Sequence, residues 1–190
     1  MKRALGMAVV AALVLAMAGR ASAEVQADKQ ALIMLRVLAY DYARAGGNRT
    51  PVRLAIVHGE SHASLACATS MRRAFDTLAL RVKVNGRPLE VQALSAGQID
   101  AAGLHRRRIS VAYVCRESSG SRTMRSLTDD MSVARVLTFS DRAQYLTDGV
   151  AITLAEEGAR VGISVNLVAA EAQGARLGAQ FLRLSKVVRR

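Results

Sequence analysis

The chain has 190 residues and a formal charge of +12, with no tryptophan, four tyrosines and three phenylalanines. That length makes one domain of ordinary size. The scarcity of aromatic rings leaves few platforms for stacking bases, so nucleic acid is not the expected partner despite the charge; the arginines are scattered and read as a solvated basic surface, suited to an acidic partner or an anionic membrane surface.

The first stretch, "MKRALGMAVVAALVLAMAGRASA", carries Lys2 and Arg3, an apolar run from Ala4 to Ala18, and an A-x-A end at Ala21 to Ala23. It is expected to be a cleavable secretory signal, since a spanning helix needs about 20 apolar residues. Cleavage after Ala23 would leave one domain, residues 24–190, outside the cytoplasm. It would remove Lys2, Arg3 and Arg20 and no acids, lowering the charge from +12 to +9. No cysteine follows the apolar run to carry a lipid.

From Gln26 to Arg44, Ala31, Leu32, Leu35, Leu38, Ala39 and Tyr42 recur at three- and four-residue steps, predicting an amphipathic helix ended by "AGGNRTP". The run "VRLAIV" from Val52 predicts a buried strand, "HGESHAS" a loop, and the segment from about Leu65 to Leu80 a helix. A turn, "NGRP", leads into the strand Leu89 to Leu94, and "GQIDAAGL" reads as a short helix ending at Gly103. "ISVAYV" (Ile109 to Val114) is another buried strand, Arg122 to Met131 a helix, and Arg135 to Phe139 a strand. Strands alternating with helices imply a mainly parallel sheet flanked by helices on both faces. The ending departs from this alternation. Ile152 and Leu154, then Val161, Ile163 and Val165, fall at period two around "EEGA" and predict an antiparallel hairpin. A long C-terminal helix is expected after it, capped by Asn166 and striped by Leu167, Ala170, Gly174, Leu177, Gly178, Phe181, Leu184 and Val188.

Candidate chemistry is sparse. "HGESH" offers His58, Glu60 and His62, but it leaves a strand, contains Gly59 and lacks a third strong ligand, so no metal is expected. Glu117 to Ser121 could make an anion-binding nest, yet it has neither the glycine spacing nor the lysine of a phosphate loop and reads as a connection. No G-x-S-x-G elbow and no dinucleotide fingerprint occur, and neither cysteine has a histidine at a readable spacing. The expectation is therefore no enzyme, no catalytic residue and no cofactor.

Cys67 and Cys115 would meet oxidising conditions after export, where one disulfide or two separate buried thiols are both open. If the strands before them are neighbours, both lie near one edge of the sheet. A bridge there would close a loop of some 49 residues and contribute about 4 kcal/mol by the chain-entropy model.

Three stretches carry a family resemblance. "KQALIMLRVLAYDYARAGG" resembles the opening helix of YfiR family proteins, and "VNGRPLEVQAL" their glycine-arginine-proline turn into a strand. The ending from "RVLTFSD" to "LSKVV" resembles theirs through Thr138, Ser140 and Asp141, Gly149 before the hairpin, and Asn166 and Leu167 at the strand-to-helix joint. The resemblance implies a small periplasmic α/β protein without established catalysis, acting as a homodimer. Such proteins restrain a membrane-anchored diguanylate cyclase through its periplasmic portion and so set cyclic di-GMP output. Here the opening helix ends in "DYARAGG" instead of an aromatic and tryptophan motif, and the last strand reads "GISVN", so a sensor kinase is the other candidate partner. The expected partner-binding residues are Glu157, Arg160, Ile163 and Asn166 on the hairpin and joint, with Arg36, Tyr40 and Arg44 as a second surface. The alternative function is a periplasmic small-molecule-binding sensor or transport-linked binding module, using loops His58 to Ser64 and Arg116 to Ser121.

Overall fold

The computed structural model describes residues 26–44, 50–118, 122–157 and 160–189, the side chains of Glu156, Glu157 and Arg160 excepted. The expected signal, residues 1–23, lies outside the described residues. So do "GGN" within the first loop, part of the Glu117 to Ser121 segment, and the Gly158 and Ala159 turn.

The described strands form one sheet in the order β2-β1-β3-β4-β5-β6-β7. They are β1 (Val52–His58), β2 (Leu89–Ser95), β3 (Val111–Val114), β4 (Leu137–Ser140), β5 (Ile152–Glu157), β6 (Arg160–Asn166) and β7 (Lys186–Val188). The first five run parallel, β6 is antiparallel to β5, and β7 is parallel to β6. Helix α1 spans residues 26–39; α2 (His62–Ala79), α3 (Ala101–Arg106), α4 (Met124–Val133), α5 (Leu167–Ala172) and α6 (Ala179–Arg183) follow.

Strand alternation separates two cores. Leu54, Ile56, Val111, Tyr113, Leu137 and Phe139 face α1, α2 and the C-terminal segment. Ala55, Val57, Ala112 and Val114 face α3 and α4. Both faces are covered, which is why these strands are apolar throughout and do not alternate with polar residues. The expected α/β sheet with its closing hairpin is present, with Ile152 opposite Val165 and Leu154 opposite Ile163.

Four local expectations are corrected. Helix α1 stops at residue 39, leaving Ala39 and Tyr42 exposed, Tyr42 by 64%. Asp41 intervenes: its carboxylate accepts from the Ala43 N–H at 3.1 Å, a local bond that competes with helix continuation. Helix α2 starts three residues before Leu65, because Ser61 caps it by accepting from the Ser64 N–H at 3.1 Å. Helix α3 runs through Gly103 to Arg106; Asp100 is its cap, accepting from the Gly103 N–H at 2.7 Å. A Cβ at Gly103 would lie 2.9 Å from that carboxylate.

The long C-terminal helix is the fourth. It is two short helices and a strand, broken after Ala172 where Gly174 takes φ +76° and the chain bends. Leu177 then pairs with Asp41, and Gly178 lies under the Tyr42 ring, where a Cβ would come within 3.1 Å. Phe181 remains buried and stacks on Tyr40 with 6.1 Å between ring centroids, while Leu184 is 75% exposed.

The N-terminal edge of the parallel strands is tied by two arginines. Arg44 donates to the carbonyls of Ser110, Arg135 and Gln173 at 3.1, 3.0 and 3.0 Å, and pairs with the fully buried Asp41. Asp41 also accepts from the Arg176 N–H at 2.9 Å. Arg87 leaves the tight Asn85-Gly86 turn, where both residues have positive φ, and donates to the carbonyls of Thr50, Arg44 and Pro51 at 2.6, 3.1 and 3.2 Å.

Candidate functional site

The opposite edge is built from the ends of β1, β3 and β4. Order reverses here: β1 lies between β2 and β3, and the helix after β1 covers one face while the helix after β3 covers the other. In open parallel sheets such a reversal leaves a crevice beyond the strand ends, the usual place for a ligand. The crevice is present as a cleft of about 230 Å³, lined among others by Ala63, Cys67, Met71, Tyr113, Arg116 and Asp141.

Its walls follow from the sequence. Gly59, after β1, approaches the next loop so closely that a Cβ would sit 2.3 Å from the Glu117 carbonyl. The Gly59 N–H donates to Ser64 Oγ at 2.9 Å, fixing the entry to α2. In β4, Thr138 Oγ1 donates to Gln173 Oε1 and accepts from the Ala151 N–H, both at 2.8 Å. Ser140 donates to the Val114 carbonyl at 2.8 Å, joining the ends of β3 and β4. These bonds set Asp141 beside Arg116, whose Nη2 donates to Asp141 Oδ2 at 3.1 Å. Arg116 Nε, Ser118 Oγ and Asp141 Oδ1 are buried with no hydrogen-bond partner. On the cleft floor, Tyr113 Oη donates to Gln30 Oε1 at 2.9 Å, and burial pushes the phenol well above its ordinary pKa.

The two cysteines meet here, from the third strand's end and the second turn of α2. Both are free thiols, and Cys115 is the more buried. The hydrogen bond between them holds Cys67 below the ordinary thiol pKa and pushes Cys115 far above it, burial adding to the second effect. The backbone N–H of Arg116 also favours the Cys67 thiolate.

The remaining expected residues are dispersed. Glu157 and Arg160 face one another across the hairpin, their side chains outside the described residues, and Ile163 is half-buried against the core. Asn166 is 4% exposed and wholly used inside: Oδ1 accepts from the Ala169 N–H at 3.1 Å and Nδ2 donates to the Leu146 carbonyl at 2.8 Å. Of the second surface, Arg36 and Tyr40 are exposed, but Arg44 is the mostly covered clamp described above. His58 Nδ1 lies 2.9 Å from the Gly59 carbonyl, and no group of three His, Cys, Asp or Glu that could hold a metal occurs among the described residues. No helix among them is long and apolar enough to cross a membrane.

Sequence reading places Arg116 at the start of a candidate ligand loop and Asp141 in the family-like Thr138, Ser140 and Asp141 stretch, but it does not bring the two side chains together as one site.

Two solved structures share the fold. A conserved domain protein from Vibrio cholerae O1 biovar El Tor strain N16961 superposes with a TM-score of 0.56 at 12% identity, over 86% of this chain and 60% of its own. The ABC domain in complex with L-Trp from Streptococcus pneumonia gives 0.57 at 8% identity, over 81% of this chain and 59% of its own. This chain thus spans about 60% of the length of each. No curated protein matches it. The model of the YfiR/HmsC-like family matches residues 29–186, nearly all of the expected mature chain, and this chain belongs to that family.

Proposed function

We propose that this chain is an exported periplasmic regulator, homodimeric, that restrains an inner-membrane signalling protein by contact with its periplasmic portion. That partner is a diguanylate cyclase or a sensor kinase. The family match over residues 29–186 carries the reading. Occupancy needs a fixed surface and no reacting groups. A hairpin whose register pairs six residues of β5 with six of β6 supplies rigidity, and Glu157 opposite Arg160 supplies charge at its far end. Among the described residues, no serine or cysteine is hydrogen-bonded to a histidine, the pairing that activates a nucleophile.

Export would place the adjacent Cys67 and Cys115 under oxidation, and we take them to form an intrachain bridge there. Non-reducing peptide mapping of protein from the host envelope should find the two linked; both thiols free would remove the bridge.

Deleting the gene in its host should raise the output of one membrane signalling protein, read as cyclic di-GMP or as kinase reporter activity, and wild-type protein should restore it. Reversal of both charges, Glu157→Lys with Arg160→Glu, should leave stability within about 0.5 kcal/mol and fail to restore repression. Unchanged output on deletion would overturn the regulatory reading. Full repression by the reversed variant would move the interface off the hairpin end.

A further inference from the structure

We propose that the cleft beyond β1, β3 and β4 binds a small zwitterion of the α-amino acid class, its carboxylate on Arg116 and its ammonium on Asp141. The inference does not depend on the identity of any membrane partner.

Unsatisfied chemistry is the first ground. Asp141 has a side chain only 10% exposed, and while Oδ2 accepts from Arg116, buried Oδ1 accepts from nothing. The cation that pairs with Oδ1, Arg142 Nε at 3.9 Å, is too far for a hydrogen bond. A carboxylate oxygen held this way calls for a donor. Arg116 has five N–H donors in a planar fork, makes one hydrogen bond, leaves Nε unpaired and keeps 41% of its side chain exposed. It calls for an acceptor, and a carboxylate fits the fork best. One donor-seeking and one acceptor-seeking group in ion-pair contact match a molecule whose own opposite charges sit on one carbon.

Position and size agree. The cleft occupies the reversal point of the strand order, where the ends of neighbouring strands diverge. Ala63 and Ala66 bring the first turns of α2 to its rim, and the free N–H groups of an 18-residue helix favour an anion there. Its volume, about 230 Å³, lies below the roughly 300–1,000 Å³ usual for drug-sized ligands, which excludes a nucleotide and suits an amino acid. Ala27 and Met71 give an apolar wall for a side chain. The larger groove beside His58, about 530 Å³, holds none of the orphaned atoms, and its Arg72 is already paired with Asp76.

The test uses the mature chain, residues 24–190, titrated calorimetrically and by thermal shift with the common L-amino acids. For each hit, the matched carboxylic acid lacking the amine and the matched amine lacking the carboxylate are included; for leucine these are 4-methylpentanoate and 3-methylbutylamine. At least one amino acid should bind and raise the melting temperature while neither of its matched compounds does. Asp141→Asn and Arg116→Gln should each weaken binding about tenfold or more, the loss expected for a charged hydrogen bond. In wild-type protein reduced beforehand, so that Cys67 is a free thiol, bound ligand should also slow its alkylation by iodoacetamide, a readout that stands even where a variant folds poorly. Binding by no amino acid overturns the proposal. So does equal binding of the matched acid, which would mean a plain anion site, and so does binding that leaves Cys67 unprotected, which would place the ligand elsewhere.

Discussion

At the N-terminal edge of the parallel strands, Arg44 and Arg87 donate to six backbone carbonyls between them; at the C-terminal edge, Arg116 makes one hydrogen bond and leaves Nε unpaired. Both edges gather loops from the same strands and both set an arginine beside an aspartate. What differs is closure. Asp41 is fully buried and its two oxygens take two backbone N–H groups and the Arg44 guanidinium, whereas Asp141 keeps one oxygen without a donor. A saturated buried network fixes one geometry. An unsaturated one at the mouth of a cleft keeps a capacity that only another molecule can fill.

The sharpest way to break this contrast is one substitution made at both edges. Arg44→Gln should cost on the order of 3–5 kcal/mol in urea unfolding, because it strands the buried Asp41 carboxylate as well as three carbonyls. A cost under about 1 kcal/mol would mean that water reaches Asp41 and that this edge is not closed.

A second measurement concerns the segment that seals the closed edge from outside. Phe181 is buried against the core and Leu184 is 75% exposed, although a continuous helix would align both on one stripe. Phe181→Ala should cost about 3–5 kcal/mol and Leu184→Ala less than about 0.5 kcal/mol. Equal costs would restore the unbroken helix.

That stripe shows where sequence reasoning stops. Buried strands were legible because runs such as "VRLAIV" and "ISVAYV" are apolar on both faces, and the hairpin because its alternation brackets a turn. Asn166 was legible as a cap, and its burial shows why it cannot also face a partner. The broken helix was hidden because Ala170, Gly174 and Gly178 satisfy a helical period without having side chains that report a face; only Gly174 at φ +76° and the contact of Gly178 with Tyr42 show the bend. The clamps were hidden for another reason. Arg44 bonds carbonyls 66, 91 and 129 residues away, and a backbone carbonyl leaves no trace in a sequence. In the absence of those partners Arg44 reads as part of an exposed helix surface, Tyr42 as part of its core face, and Arg116 as the start of a connecting loop. Thr138, Ser140 and Asp141 belonged to a recognisable motif, but what each does required the strand pairing: the first joins β4 to the C-terminal segment, the second joins β4 to β3, and the third meets Arg116.

A small expected effect is also the one that separates the two edges. Arg116→Gln removes one side of an ion pair whose arginine is 41% exposed, so water can replace much of what the guanidinium gave to Asp141 Oδ2. It also removes the buried Nε that has no acceptor, and relieving an unpaired buried donor offsets part of the loss. The net change should stay within about 1 kcal/mol in either direction, against several for the same change at Arg44. A cost as large as that of Arg44→Gln would show that Arg116 holds the β3 and β4 loops together as Arg44 holds the opposite ones. The C-terminal edge would then be a second structural clamp, its orphaned atoms a tolerated imperfection instead of a vacancy for a ligand.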